Sequence, residues 1–241
     1  MMNEGNARIE LAAAYRLAVR HDLCEGINNH FTARAGEDRF LVIPHGLHWS
    51  EVTASRLLLV DGQGNVHGGE GEVEPSALYI HSRILRARPE AGAVLHTHQT
   101  YATAITSLDN GRLLPVSQNA LRFHGRIAYD DNYQGAADHD AEGERLASIL
   151  GTKDVLFHAN HGVIVVGPSV AKAYDDLYFL ERAAKVQILA QATGKPLRFV
   201  PDDVARVYVR PDRPNNLDKQ AEEHFAALKR ILDRDEPDYA S

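Results

Sequence analysis

The positions best suited to chemistry are two histidines one residue apart, His96 and His98, closing the run Gly92-Ala93-Val94-Leu95-His96-Thr97-His98. The apolar residues predict a buried strand, and the small residues that follow, through Ala102, Thr103 and Ala104, predict a helix directly after it. Side chains two apart on a strand leave the same face, so both imidazoles can reach one divalent ion. A third nitrogen donor is offered by His161, in the tight link Asn160-His161-Gly162 between two apolar runs. Gly162 is expected there to permit an unusual backbone angle and close approach to a ligand. Three imidazoles are a common ligand set for an ion that keeps positions open for water or substrate. The chain has 13 histidines in 241 residues, so a His-x-His pair alone is only moderately specific. Two unrelated histidines on a half-exposed strand end are the competing reading.

The elements around these residues follow from the hydrophobic pattern. Helical spacing of Ile9, Ala12, Ala13, Leu17 and Ala18 predicts a first helix over 6–22. Residues 30–34 and 40–43 read as a strand pair, and 57–60 as a third strand after one helical turn at 53–56. The segment 61–65, Asp-Gly-Gln-Gly-Asn, is a hairpin turn, 68–71 a flexible link, and Pro75 opens a helix to about Arg88. The stretch 113–135 reads as loop-rich, 140–150 as a helix, and 155–158 and 163–167 as buried strands. A long helix is expected over 170–192 and one or two more in the tail 201–241, the clearest between Leu217 and Leu232. No repeat or low-complexity linker divides the chain. It reads as one α/β domain over 1–241, with a core of about 7–192 and a helical C-terminal tail of about 201–241.

Composition limits the partners. The formal net charge is −7 and no Lys/Arg cluster occurs, which argues against a nucleic-acid partner or an acidic membrane surface. Cys24 is the single cysteine, so neither an intrachain disulfide nor a multi-cysteine zinc site is possible. The N-terminal residues hold no apolar signal core and no run approaches a membrane span, so a cytoplasmic protein is expected.

Several short pieces, in this order and spacing, resemble the class II aldolase/adducin family over nearly all of residues 7–192. They are 12–17 (Ala-Ala-Ala-Tyr-Arg-Leu), 29–34 (Asn-His-Phe-Thr-Ala-Arg), 41–47 (Leu-Val-Ile-Pro-His-Gly-Leu), His81-Ser82-Arg83-Ile84 with Arg88-Pro89, His96-Thr97-His98, and Asn160-His161-Gly162 before Val165-Val166-Gly167. The resemblance implies a three-layer α/β/α sandwich with a central mixed, mostly antiparallel sheet. It implies one divalent metal ion per subunit held by His96, His98 and His161, with zinc, manganese or cobalt expected and iron possible. It also implies a homo-oligomer, a tetramer with active sites where subunits meet.

The chain departs from the sugar-phosphate aldolases of that family. Their acid/base glutamate lies four residues before the position of His81, and here that position is Ala77. Glu74, about one turn earlier, is the candidate replacement if the loop before Pro75 folds inward. Its competing role is a solvated or first-turn carboxylate favoured by the helix dipole. The family's phosphate-gripping pieces are also altered, to Asn29-His30, His45-Gly46 and Pro75-Ser76. These residues make Asn29, His45, Gly46 and Ser76 candidates for substrate binding, and a phosphorylated sugar is not the favoured substrate. His30 and Tyr133 are candidate proton-transfer groups. His45 shares that possibility, His48, His124 and Tyr129 lie in segments that border the metal pocket in relatives, and Tyr208 is a weaker candidate, since tail tyrosines reach a neighbouring subunit's site in some relatives. His81 is expected to pack its helix on the sheet, and His158 to be a hydrogen-bonded structural residue.

Three neutral imidazoles leave the full +2 charge on the ion, which suits a chelating anion such as a small hydroxy, keto or aromatic hydroxy acid. Decarboxylation needs charge stabilisation and one proton donor but no base for a hydroxyl, so losing the glutamate harms it less than aldol cleavage. The expected function is a metal-dependent carbon–carbon lyase, decarboxylase or aldolase, on a small non-phosphorylated molecule. The alternatives are a non-haem iron oxygenase on the same histidines and a non-catalytic adducin-like binding or assembly module.

Overall fold

The computed structural model describes residues 3–135, 139–210, 212 and 216–241. Its centre is one eight-stranded sheet. The strands are β1 (His30–Arg34), β2 (Arg39–Val42), β3 (Leu58–Asp61), β4 (Val66–Gly68), β5 (Ala93–Thr97), β6 (Ile127–Asp130), β7 (Val155–His158) and β8 (Gly162–Gly167). Their order across the sheet is β4-β3-β2-β1-β5-β8-β7-β6. Only the β6–β7 pair is parallel, so the sheet is mixed and mostly antiparallel as the resemblance implies.

Helices cover both faces. On one, α2 (Pro75–Ala87) packs on β1 and β5, and α5 (Asp140–Leu150) packs on α2, β6 and β7. The other carries α1 (Glu4–Arg20), α3 (Thr100–Thr106), α6 (Val170–Gln191) and α8 (Leu217–Asp235), which contact one another around α6. Two shorter helices, α4 (Gln118–Leu121) and α7 (Asp202–Tyr208), complete the set among the described residues. The result is an α/β/α sandwich, a natural answer to a sheet whose central strands are apolar on both faces. Every residue of β5, β7 and β8 is buried. No helix among the described residues is long and apolar enough to cross a membrane.

Local sequence explains the main boundaries. Glu74 N-caps α2 ahead of Pro75, which sits at the first helical position where a missing N–H costs nothing. Ser169 caps α6 and Asn216 caps α8 in the same manner. Tyr15 of α1 lies in a fully buried aromatic group with Phe31 of β1 and Trp49, at centroid separations of 4.7–5.0 Å. Its hydroxyl donates to Phe31 O and accepts from Phe31 N, both at 2.7 Å.

The largest difference from expectation lies between the third helix and the fifth. Residues 113–135 hold more order than a loop, because Ile127–Asp130 forms β6 and pairs in parallel with β7. This edge strand is only partly buried up to Asp130, so its four residues carry no strong alternation to read. The third strand runs Leu58–Asp61, one residue later than its pattern suggests, and a short β4 follows the hairpin turn. Both tail helices are present, and residues 211 and 213–215 of the tail lie outside the described residues.

Candidate metal centre and its cavity

Strand register assembles the site. In the antiparallel β1–β5 pair His30 stands directly opposite His96, and Thr32 opposite Val94, so His30, Thr32 and His96 share the face covered by α2. On the other side of β5, Thr97 is opposite Val163, which brings the β7–β8 link and His161 to the same end of the sheet. His98 lies one residue beyond β5, where its backbone N–H donates to Asn29 Oδ1 at 3.1 Å. Asn29 holds a left-handed backbone angle (φ 69°), a conformation asparagine tolerates better than most residues.

One ligand atom from each of His96, His98 and His161 can be chosen so that all lie within 4.8 Å of one another. In each ring the other nitrogen is already engaged. Nδ1 of His96 donates to Val163 O at 3.0 Å, Nδ1 of His98 donates to the Glu25 carboxylate at 2.7 Å, and Nδ1 of His161 meets Nδ1 of His158 at 3.1 Å. These contacts leave the three Nε2 atoms for a common occupant. Nε2 of His98 is buried and has no hydrogen-bond partner, which is costly unless something binds it. Burial, together with the neighbouring imidazoles, holds His96 well below the ordinary histidine range, and lowers His161 to about 3. Both are therefore neutral near pH 7, the form that ligates metals. The donor set fits a divalent ion, with a carboxylate behind one imidazole in the arrangement that orients histidine ligands.

These histidines form one wall of a cavity of about 190 Å³ that also reaches Asn29, His30, His45, Glu74, Ser76 and Ala77. A row of hydrogen bonds runs along its side. Ser76 Oγ donates to the Glu74 carboxylate, His30 Nε2 lies 3.0 Å from Ser76 Oγ, His30 Nδ1 is 2.7 Å from His81 Nε2, and His81 Nδ1 is 2.8 Å from Thr32 Oγ1. Glu74 also accepts from Ala77 N at 2.8 Å, so it caps α2 and faces the cavity at once. Nδ2 of Asn29 is buried without a partner. Burial, with His81, His161 and His98 as further causes, keeps His30 well below its ordinary range, and burial does the same for His81.

Thus Asn29, His30, His45, Glu74, Ser76, His96, His98 and His161 come together. Gly46 does not line this cavity but a neighbouring groove, and Tyr133 stands outside it, its ring 5.5 Å from that of His158 and 5.9 Å from that of His161. His48 caps a short 3₁₀ turn, His124 faces Asp202, and Tyr129 accepts from Leu113 N, all away from the metal histidines. His81 is more than packing, since it is fully buried and links Thr32 to His30. Glu25 was not legible in advance, because its bond to His98 spans 73 residues. The unusual backbone angle in the Asn160-His161-Gly162 link belongs to Asn160 (φ 55°), not to Gly162.

The class II aldolase and adducin N-terminal domain model matches residues 9–188 of the chain. Among solved structures, an aldolase II superfamily protein from Pseudomonas syringae is 38% identical, with a TM-score of 0.91 covering 100% of this chain and 97% of that one. An L-fuculose 1-phosphate aldolase from Glaciozyma antarctica is 27% identical, with a TM-score of 0.85 over 98% of this chain and 92% of that chain. Alpha-adducin of Rattus norvegicus is 34% identical over 243 residues, spanning 94% of this chain but 33% of the longer adducin. With its three converging histidines and its α/β/α sandwich, this chain belongs to the class II aldolase and adducin N-terminal domain family.

Proposed function

We propose that the chain is a metal-dependent carbon–carbon lyase acting on a small, non-phosphorylated hydroxy, keto or aromatic hydroxy acid, with decarboxylation favoured over aldol cleavage. The observation that carries this reading is the buried, unpartnered Nε2 of His98 beside His96 and His161 at a cavity of substrate size. One divalent ion per subunit, zinc, manganese or cobalt with iron as the further option, would be held by these three residues. It would supply a Lewis acid that stabilises negative charge developing as a carbon–carbon bond breaks.

The chain's own groups supply the rest. The Glu74 carboxylate accepts from Ser76 Oγ, so in this reading the pair relays a proton to the substrate, taken up from solvent by Glu74 and passed on through Ser76 Oγ. His30 serves as a neutral imidazole that holds Ser76, because burial disfavours its charged form. The free Nδ2 of Asn29 donates to a substrate oxygen, and His45 borders the carboxylate. With Ala77 at the usual position, the carboxylate facing the cavity is Glu74, already engaged by Ser76 Oγ and Ala77 N, which favours proton delivery over deprotonation of a hydroxyl and so supports decarboxylation over the aldol direction. Likeness to the Glaciozyma antarctica aldolase keeps phosphorylated sugars in the substrate screen. Tyr133 and Gly46 take no part in the cavity and are left with roles at its periphery. A homotetramer in the cytoplasm completes the proposal, with neither nucleic acid nor membrane as partner.

The test is metal content of protein purified without chelators, with His96→Ala alongside, followed by carboxylated and phosphorylated substrates. About one zinc, manganese or cobalt ion per chain, lost in the variant, together with release of carbon dioxide from a hydroxy or keto acid, supports the lyase. Iron with oxygen uptake would replace it by an oxygenase. A second reading is favoured by the alpha-adducin likeness: a non-catalytic binding module, to which absence of metal after reconstitution would point.

A further inference from the structure

Behind His161 runs a second row of polar groups that the proposed reaction does not use. His158 ends β7 and is 1% exposed, and in the parallel β6–β7 register it stands opposite Asp130, itself 4% exposed. Nδ1 of His158 lies 3.1 Å from Nδ1 of His161, and Nε2 of His158 lies 3.4 Å from Asp130 Oδ2. Asp130 accepts from Asn132 N at 3.1 Å and from the Arg145 guanidinium at 2.9 and 2.6 Å. Arg145 is shared with a second buried carboxylate, Glu142, at 2.7 Å. Two carboxylates therefore face one guanidinium, and the group carries an excess negative charge at the back of the histidine pair.

Hydrogen positions in this row are not free. A neutral imidazole has one N–H, so a His161 that offers Nε2 to an ion carries its hydrogen on Nδ1. That hydrogen can only go to His158 Nδ1, which must then be the acceptor. The His158 hydrogen is thereby placed on Nε2, toward Asp130. The His158–His161 contact is then a donor–acceptor pair, while His158 Nε2, buried and without a hydrogen-bond partner, faces the Asp130 carboxylate at 3.4 Å, and the reverse assignment would aim an N–H of His161 into the metal position. Tyr133 flanks both rings at 5.5 and 5.9 Å.

We propose that His158 is a positioning residue that couples the Asp130 carboxylate to His161, fixing the His161 ring in its Nδ1–H form and making Nε2 a better ligand. The inference rests on the metal-centre reading above. Carboxylates acting on ligating histidines in this manner set metal affinity, and their loss usually costs about 10–100-fold.

The experiment compares His158→Gln with His158→Leu. Glutamine can accept from His161 through its carbonyl and donate to Asp130 through its amide, whereas leucine fills similar space and does neither. Zinc affinity is read by competition with a chromophoric chelator, and the His161 tautomer by ¹⁵N NMR of the metal-free chain. Expected are zinc binding about 10–100-fold weaker in His158→Leu, near wild type in His158→Gln, and loss of the pure Nδ1–H signature only in the leucine variant. Should His158→Leu not fold, Asp130→Asn replaces it, with about tenfold weaker binding expected from loss of the charge alone. If wild type binds zinc and the variants bind as tightly with an unchanged tautomer, the inference is overturned and the metal reading stands. Glutamine no better than leucine also overturns it. Wild type without zinc affinity overturns both.

Discussion

Replacing Gly162 by alanine places a Cβ 2.4 Å from the carbonyl oxygen of Thr97 and 2.9 Å from Cδ2 of His98. Thr97 O is backbone of the central strand β5, so no side-chain rotation can relieve the contact. Real Cβ atoms stay beyond about 3.0 Å, so the start of β8 must retreat from β5 by at least about 0.6 Å. Ladder hydrogen bonds of about 2.9 Å stretch to about 3.5 Å under such a shift, where they contribute little. Losing one or two of them, at about 1 kcal/mol each, together with strain in a packed sheet, costs about 2–3 kcal/mol. For a chain of this size the melting temperature falls by about 5–10 °C. His161 and His98 lie on either side of the contact, so metal affinity falls with it. The assay is thermal unfolding by circular dichroism with zinc titration of the folded fraction, and Gly5→Ala, whose Cβ would meet only Asn3 Oδ1 at an ordinary 3.6 Å, is the control without a close backbone contact. A melting temperature within about 1 °C of wild type and unchanged zinc affinity would refute the claim that this glycine exists for close approach of two strands.

Two further outcomes follow from buried polar contacts. Tyr15→Phe leaves both backbone groups of Phe31 without the hydroxyl that satisfies them, inside a fully buried aromatic cluster, and should cost about 2–4 kcal/mol in denaturant unfolding, with no change in zinc affinity. In Asp176, burial alone would raise the carboxyl pKa, but Arg126 at 2.6 Å and Lys172 at 2.9 Å outweigh it and hold the group below its usual 3.8. Its stabilisation is therefore complete above the unfolded value and fades as pH falls below about 4 through the folded one. Asp176→Asn should destabilise by about 3–5 kcal/mol at pH 7 and flatten the acid limb of the stability profile; an unchanged limb would exclude Asp176 as its source.

The three clustered histidines were legible because each sits in a local pattern, two in His-x-His on an apolar strand and one in a glycine-bounded link. The buried strands expected over 155–158 and 163–167 were likewise written in short apolar runs, and the helix expected over 170–192 in a long segment stopped by Gly194-Lys195-Pro196. Glu74 and Ser76 flank Pro75, so their place at the mouth of α2 could be read from neighbouring residues. By contrast, β6 is a four-residue edge strand whose only strong evidence is its partner β7.

What the sequence by itself determined was the set of elements and the histidine pairs and links that could bind a metal, since both depend on residues a few positions apart. Tertiary structure alone decided the environment of each ring. The opposition of His30 and His96 comes from antiparallel register, Glu25 reaches His98 from 73 residues away, and Asp130 reaches His158 only across a parallel strand pair. Hydrogen bonds and electrostatic coupling act over a few ångströms of space regardless of chain separation. Which nitrogen each histidine presents, and therefore what it can bind, is accordingly fixed by the fold.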